Sequence, residues 1–228
     1  MAAISPGKRR RLRDNLEQAV RWRLDPLRLQ KKFPFLENYP QMSLDIRQEL
    51  LPYYHRYVAA VSTPDAAISL ELAVFVTSLL RDRRPQRILD LGSGFSSAVF
   101  RYYQKKAVPP PEVWSIDDSS AWLEKTRAFL KAQGLPGERL AGWDEFSQQE
   151  LQPFDFLFHD LGSITVRTQT LARVLSLAAP GGIVILDDMQ KVPYGEYARK
   201  LLKQEKFHSF SLKFLRDQFH RYAFLAIR

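Results

Sequence analysis

Ile88-Leu89-Asp90-Leu91-Gly92-Ser93-Gly94-Phe95-Ser96-Ser97 carries three structural signals in succession. The apolar run Arg87-Ile88-Leu89 reads as a buried strand that ends at the acid Asp90. The chain breaks at Gly92-Ser93-Gly94 and turns helical from about Phe95. A strand, a glycine turn and a helix N-terminus bring backbone N–H groups close to a ligand. Such turns also serve only to pack a helix on a strand, so the neighbouring pattern matters. A second apolar run, Val113-Trp114-Ser115-Ile116, ends on Asp117-Asp118 about one β-α unit later. A ribose-binding acid would sit there.

Working outward, the chain from residue 63 alternates strand and helix. Strands are predicted at 87–91, 112–117, 138–141, 154–159, 182–187, 207–214 and 220–227, with helices at about 96–106, 120–133, 164–178 and 194–205. Ile183-Val184-Ile185-Leu186 is apolar on both faces, as a central parallel strand should be. The last two strands are joined only by about 215–219, too short for a parallel crossover, so an antiparallel hairpin is expected. Before the sheet, Ser62-Thr63-Pro64-Asp65 opens a predicted helix from Ala66 to Leu80, and another is expected from Leu44 to Val58. Asp25-Pro26 reads as the N-cap and first turn of a short helix to Lys32. Leu12, Leu16, Val20 and Leu24 recur every four residues, which predicts an amphipathic, arginine-rich helix over residues 8–24. Residues 1–62 thus read as a basic helical arm and cap, and 63–228 as one α/β domain.

The 228 residues suit one α/β domain with an appendage, and 45% hydrophobic with 26% charged residues is ordinary for a globular protein. The chain has no cysteine, which excludes disulfides, zinc-thiolate sites and thiol nucleophiles. The net charge of +9 is concentrated at the start: residues 1–32 carry ten Lys/Arg against three Asp/Glu, leaving 24 against 22 for the rest. The basic balance therefore belongs to the arm and is not a nucleic-acid footprint on the α/β domain. No apolar segment of the secretory type opens the sequence, and no apolar run is long enough to span a bilayer, so a cytoplasmic location is expected.

The glycine spacing bears on the ligand. A dinucleotide fingerprint would place a third glycine or alanine three residues after Gly94, where Ser97 stands. Asp90 would repel a pyrophosphate, whereas a ligand with a cationic centre would welcome it. Asp90-Leu-Gly-Ser-Gly94 resembles the first motif of class I S-adenosylmethionine-dependent methyltransferases, and Asp117 matches that family's ribose-binding acid. The resemblance runs from about Ala66 to Arg228. It implies a Rossmann-like, mostly parallel sheet closed by a C-terminal antiparallel hairpin, with a helical N-terminal cap. It also implies a cofactor site made of Asp90, Gly92, Ser93, Gly94, Ser97, Asp117 and Asp118. Trp143, after the third strand, could face the adenine or simply pack on a helix. Ser69 could touch the cofactor's carboxylate.

Four strand ends carry acids: Asp90, Asp117-Asp118, Asp160 and Asp187-Asp188. Carboxylates crowded on one edge repel and need cationic partners, a positively charged ligand or a metal. Phe158-His159-Asp160 and Leu186-Asp187-Asp188 resemble the metal-binding positions of catechol-type and macrocin-type O-methyltransferases. On that resemblance Asp160, Asp187 and Asp188 would hold Mg²⁺, and Asp160 would touch both cofactor and acceptor. The catechol-type lysine three positions after the first acid is replaced by Ser163, leaving Lys191 or His159 as candidate bases. The cluster Tyr53-Tyr54-His55-Arg56-Tyr57 either lines a substrate pocket or packs between helices.

These features point to O-methylation of a small molecule. Two other readings are a nucleic-acid methyltransferase gripping phosphates with the arm, and a non-catalytic scaffold that binds a partner or membrane. His159-Asp160-Leu161-Gly162 lacks the Asn/Asp-Pro-Pro-aromatic signature of base N-methyltransferases, which argues against the first. The intact Asp90, Gly92, Gly94 and Asp117 argue against the second. For the arm, residues 8–32, an anionic membrane surface or a nucleic acid are the candidate partners.

Overall fold

The computed structural model describes residues 23–228. Seven strands form one sheet in the order β3-β2-β1-β4-β5-β7-β6. β1 (Arg87–Leu91), β2 (Glu112–Asp117), β3 (Leu140–Gly142), β4 (Phe154–His159) and β5 (Ala178–Leu186) pair in parallel. β7 (Phe224–Ile227) runs antiparallel to both β5 and β6 (His208–Ser211). The expected mixed sheet with its C-terminal antiparallel pair is therefore present. The link between the last two strands is longer than expected, because a 3₁₀ turn at Lys213–Leu215 and a loop closed by Asp217 replace the outer strand residues.

The register divides the core in two. Ile88, Phe156, Phe158, Ile183 and Ile185 face one side, packed with α3 (Leu70–Arg83), α4 (Phe95–Lys106) and α5 (Ser120–Ala132). Leu89, Leu91, Leu157, Val184 and Leu186 face the other side, packed with α6 (Trp143–Ser147), α7 (Ile164–Ser176) and α8 (Val192–Gln204). Strands with both faces covered read as continuous apolar runs, which is why β1, β2 and β4 lie where predicted.

The N-terminal segment shares the first core. A helix over 23–32, α1, contributes the buried Leu29, and α2 (Tyr39–Ala60) contributes Ile46, Leu50 and Tyr57. Asp25 is not an N-cap, because residues 23–25 are already helical. Its buried carboxylate instead accepts from the backbone N–H of Ser211 at 2.8 Å and from Arg28 at 3.1 Å. The arm helix expected over residues 8–24 falls almost wholly outside the described residues.

α3 begins four residues later than expected, at Leu70, with Ser69 as its N-cap accepting from Leu72 N–H at 3.2 Å. A distant arginine explains the delay. The Arg221 guanidinium donates to the carbonyls of Pro64, Asp65 and Ala67. Carbonyls taken in this way are unavailable to N–H groups one turn on, so 64–68 stays a loop. β3 is shorter and later than its predicted span, and α6 follows it with no sequence signal that marked it. No helix among the described residues is long and apolar enough to cross a membrane.

Candidate functional site

The chain leaves β1 toward β2 and β3 on one side, then returns at β4 and continues to β5 on the other. Loops leaving β1 and β4 therefore diverge, and the carboxyl ends of these strands flank a crevice. A cavity of about 280 Å³ lies there. Its walls are the 92–96 loop, residues 117–119, the 66–68 loop, and the side chains of Tyr57, Trp122, Asp160 and Arg167.

The glycine loop is braced from beneath. Gly92 has φ +98, and a Cβ there would overlap the backbone carbonyl of Asp160, so the turn presses directly on the end of β4. Asp90 is fully buried and does not line the cavity. Its Oδ2 accepts from Ser97 Oγ at 2.5 Å, and Ser97 Oγ in turn accepts from Gly94 N–H at 3.2 Å. Asp90 and Ser97 thus hold the loop's shape from below. Burial pushes the Asp90 carboxyl up to about 6, with the nearby Ser97, Ser96 and Ser115 hydroxyls pulling it down in part.

Asp117 ties both walls together. Its Oδ2 accepts from Ser93 N–H at 2.7 Å and Ser93 Oγ at 3.0 Å, and its Oδ1 accepts from Ser119 N–H at 2.9 Å. A carboxylate offers about four lone-pair sites, so three bonds leave capacity for a ligand hydroxyl. Burial raises its pKa. Asp118 lies against Gly162, where a Cβ would overlap its carboxylate. The indole N–H of Trp122 donates to the Ser93 carbonyl, placing its ring at the cavity wall. Tyr57 reaches in from α2, with its hydroxyl 3.1 Å from where a Gly94 Cβ would stand.

The acids after β4 and β5 meet an arginine. Arg167 Nη1 lies 2.5 Å from Asp160 Oδ1 and donates to Asp188 Oδ2 at 2.8 Å, while Nη2 donates to the Gly162 carbonyl at 3.3 Å. Asp188 Oδ1 accepts from Gln190 at 2.5 Å. Burial pushes Asp160 well above the usual carboxylate range, against the pull of Arg167 and with the push of Asp187 and Asp188. Asp187 is pushed up to about 6 by burial and then by Asp188. Burial works against the Arg167 charge, but Asp160 and Asp188 outweigh it and hold the guanidinium protonated.

Among the described residues no three His, Cys, Asp or Glu side chains are grouped so as to hold a metal ion. The expected Mg²⁺ set of Asp160, Asp187 and Asp188 does not fit one, because the Arg167 guanidinium sits between two of the three acids.

Several other predicted residues fall outside the cavity. His159 is fully buried, with Nδ1 3.1 Å from the Tyr194 hydroxyl and Nε2 3.1 Å from Thr170 Oγ1. Burial, with Arg167 nearby, lowers its pKa to about 3, so it is a sealed neutral imidazole and not a base. Lys191 is exposed at the start of α8 and is not part of the wall. Ser69 caps α3 and borders a small separate void with Asp187 and Arg221. Trp143 packs 6.1 Å from Phe146, and Trp122 takes the aromatic place in the wall. Ser163 caps α7, accepting from Val166 N–H at 3.3 Å. Sequence reading missed Trp122, Arg167 and the 66–68 loop. Only Arg167 left a usable trace, as an arginine in the first turns of the helix that follows an acid-ended strand.

No protein-family model matches the sequence, and no curated protein matches it. Solved structures do match. An O-methyltransferase from Bacillus cereus, in complex with S-adenosylhomocysteine, superposes with a TM-score of 0.60 at 16% identity, over 80% of this chain and 90% of that one. The chain has the fold of class I methyltransferases. A Podospora anserina methyltransferase bound to S-adenosylhomocysteine gives a TM-score of 0.61 at 16% identity, over 84% and 96% of the two chains. The O-methyltransferase TomG of Streptomyces achromogenes, in complex with S-adenosylmethionine, gives 0.57 at 18% identity, over 80% and 88%.

Proposed function

We propose that this chain is an S-adenosylmethionine-dependent methyltransferase that methylates an oxygen of a small molecule, in the cytoplasm. The observation that carries the reading is the cavity at the sheet's switch point, bounded by Gly92-Ser93-Gly94 and by Asp117. Its fold neighbours from B. cereus and S. achromogenes were crystallised with the demethylated or intact cofactor.

The residues present fit that cofactor. Asp117 has acceptor capacity for ribose hydroxyls, with Ser93 and Ser119 holding its carboxylate in place. Trp122 offers a ring face for adenine, in the role first assigned to Trp143. Gly94 leaves the loop backbone open to the methionine part, with Tyr57 and the 66–68 loop opposite. When bound, the cofactor supplies a methyl group on a cationic sulfur. This chain's part is to hold an acceptor oxygen in line and keep water out, and positioning of that kind can supply much of the barrier lowering. Asp160 and Arg167 form the polar edge where an acceptor would enter.

Calorimetric titration with S-adenosylhomocysteine, followed by a labelled-methyl transfer screen across phenols, sugars, lipids and RNA, tests the reading. Binding together with transfer to a hydroxyl-bearing small molecule is expected. Absence of binding at millimolar ligand would sink it, and transfer to RNA alone would replace the acceptor class.

A further inference from the structure

The acids at the ends of β4 and β5 would, in a metal-assisted methyltransferase of this fold, be the place for a divalent ion. Here that edge already holds a positive charge. Arg167 is only 9% exposed in its side chain, and one of its nitrogens, Nη1, lies within ion-pair distance of both Asp160 Oδ1 and Asp188 Oδ2. A cation that is to bridge these two carboxylates must occupy that same position. The guanidinium is held there on its other side by the Gly162 carbonyl, and α7 carries it, with Ser163 capping the helix four residues earlier. Arginine keeps its charge at any physiological pH, so the compensation is permanent. The Nε of Arg167 is buried, lacks a hydrogen-bond partner among the described residues, and belongs to a side chain that lines the cavity. The residue therefore faces the ligand site as well as the acids.

We propose that Arg167 is a built-in cation that takes the place of a divalent ion at this strand edge, making the site metal-independent. The guanidinium balances Asp160 and Asp188 and keeps them apart from one another. It does so without the coordination sphere that Mg²⁺ demands, near-octahedral oxygen at about 2.1 Å. The inference rests on the methyltransferase reading only for the expectation that a metal could be used at this edge.

The test is Mn²⁺ titration of the full chain with S-adenosylhomocysteine present, for the wild type, Arg167→Lys and Arg167→Gln. Wild type and Arg167→Lys should bind Mn²⁺ only weakly. Arg167→Gln uncovers the carboxylates with no charge to balance them, and its Mn²⁺ affinity should rise by at least about ten-fold, since ligand charge count sets affinity at such sites. Mn²⁺ binding to the wild type as tightly as to Arg167→Gln would overturn the proposal. So would a folded Arg167→Gln that gains no affinity. If Arg167→Gln fails to fold, Arg167→Met and the wild-type titration decide in the same way. S-adenosylhomocysteine binding is measured in the same cell: its loss in the wild type would sink the methyltransferase reading, while the Mn²⁺ comparison between charge-keeping and charge-removing variants would still stand or fall separately.

Discussion

Replacing Asp90 with asparagine should change how stability depends on pH, in a direction the structure determines. Asp90 is fully buried beneath the glycine loop, with one oxygen on Ser97 and the other, Oδ1, lacking a hydrogen-bond partner among the described residues. Burial raises its pKa from 3.8 to about 6. The native state therefore holds its proton between these values while the unfolded chain releases it. Where the native state binds more protons, stability falls as pH rises. The fold is free of this cost below about pH 4, loses stability through pH 4 to 6, and carries the full cost above that. The interval is about 2 pH units, and at about 1.4 kcal/mol for each the ionised Asp90 costs about 3 kcal/mol at pH 7. Asp187, pushed up to about 6, contributes a slope of the same sign. The comparison must therefore be a difference between proteins.

Urea unfolding of wild type and Asp90→Asn at pH 4, 5, 6 and 7 gives that difference. The asparagine variant should gain on the wild type by about 3 kcal/mol between pH 4 and 7, whatever constant offset the lost Ser97 bond imposes. Parallel stability curves would refute the argument, because they would mean that Asp90 titrates alike in both states. A variant that loses ground as pH rises would show that the carboxylate is stabilised in its charged form. In that case the loop above it, and not burial, would set its titration.

Asp117→Ala should weaken S-adenosylhomocysteine binding by roughly ten- to a hundred-fold, the loss expected from charge-assisted bonds worth ~1.5–3 kcal/mol, as read by calorimetry. Gly92→Ala forces a Cβ at φ +98 against the Asp160 carbonyl, and a left-handed penalty of about 1–2 kcal/mol should lower the thermal midpoint by more than about 2 °C. Arg221→Ala releases three carbonyls of the 64–68 loop and unpairs Asp217; a stability loss of about 3 kcal/mol and faster amide exchange confined first to residues 63–69 are the expected signs. For the basic arm, cosedimentation with anionic vesicles and RNA gel shifts should show no retention at physiological salt, and retention by either would assign the arm that polyanion as its partner.

Much of the frame was legible because it depends on local pattern. β1, β2, β4 and β5 are apolar runs ended by acids, and the glycines after β1 can only be a turn. The errors share a cause of the opposite kind, a partner far away in sequence. Asp25 reads as a cap until the Ser211 N–H, 186 residues on, is seen to take its carboxylate. Residues 66–68 read as the start of a helix until Arg221 takes the carbonyls of Pro64, Asp65 and Ala67. Trp143 reads as a candidate ring face in sequence, but it packs on Phe146, and Trp122, which carried no sequence signal, stands in the cavity wall instead. His159 stands next to Asp160, but as the last residue of β4 it is sealed between Tyr194 and Thr170, while Asp160, one residue past the strand, reaches the cavity.

The strand-end acids show most clearly where local reading stops. Counting carboxylates at the carboxyl edge of a parallel sheet establishes that the edge needs positive charge. It does not say which positive charge, since a metal, a cationic ligand and an arginine all satisfy the electrostatics. The choice among them depends on reach: a side chain seven residues past Asp160, on the helix that returns over the sheet, either arrives between Asp160 and Asp188 or does not. Here it arrives, within 2.8 Å of both. With Asp160 and Asp188 paired from within, Asp117 and Asp118 are the acids left on the glycine-loop side of the cavity. On the proposed methyltransferase reading, the crevice then has a cofactor wall at Asp117 and an acceptor edge where Asp160 and Asp188 are paired with Arg167. Charge reversal on one side should accordingly alter cofactor affinity, and on the other, acceptor selection.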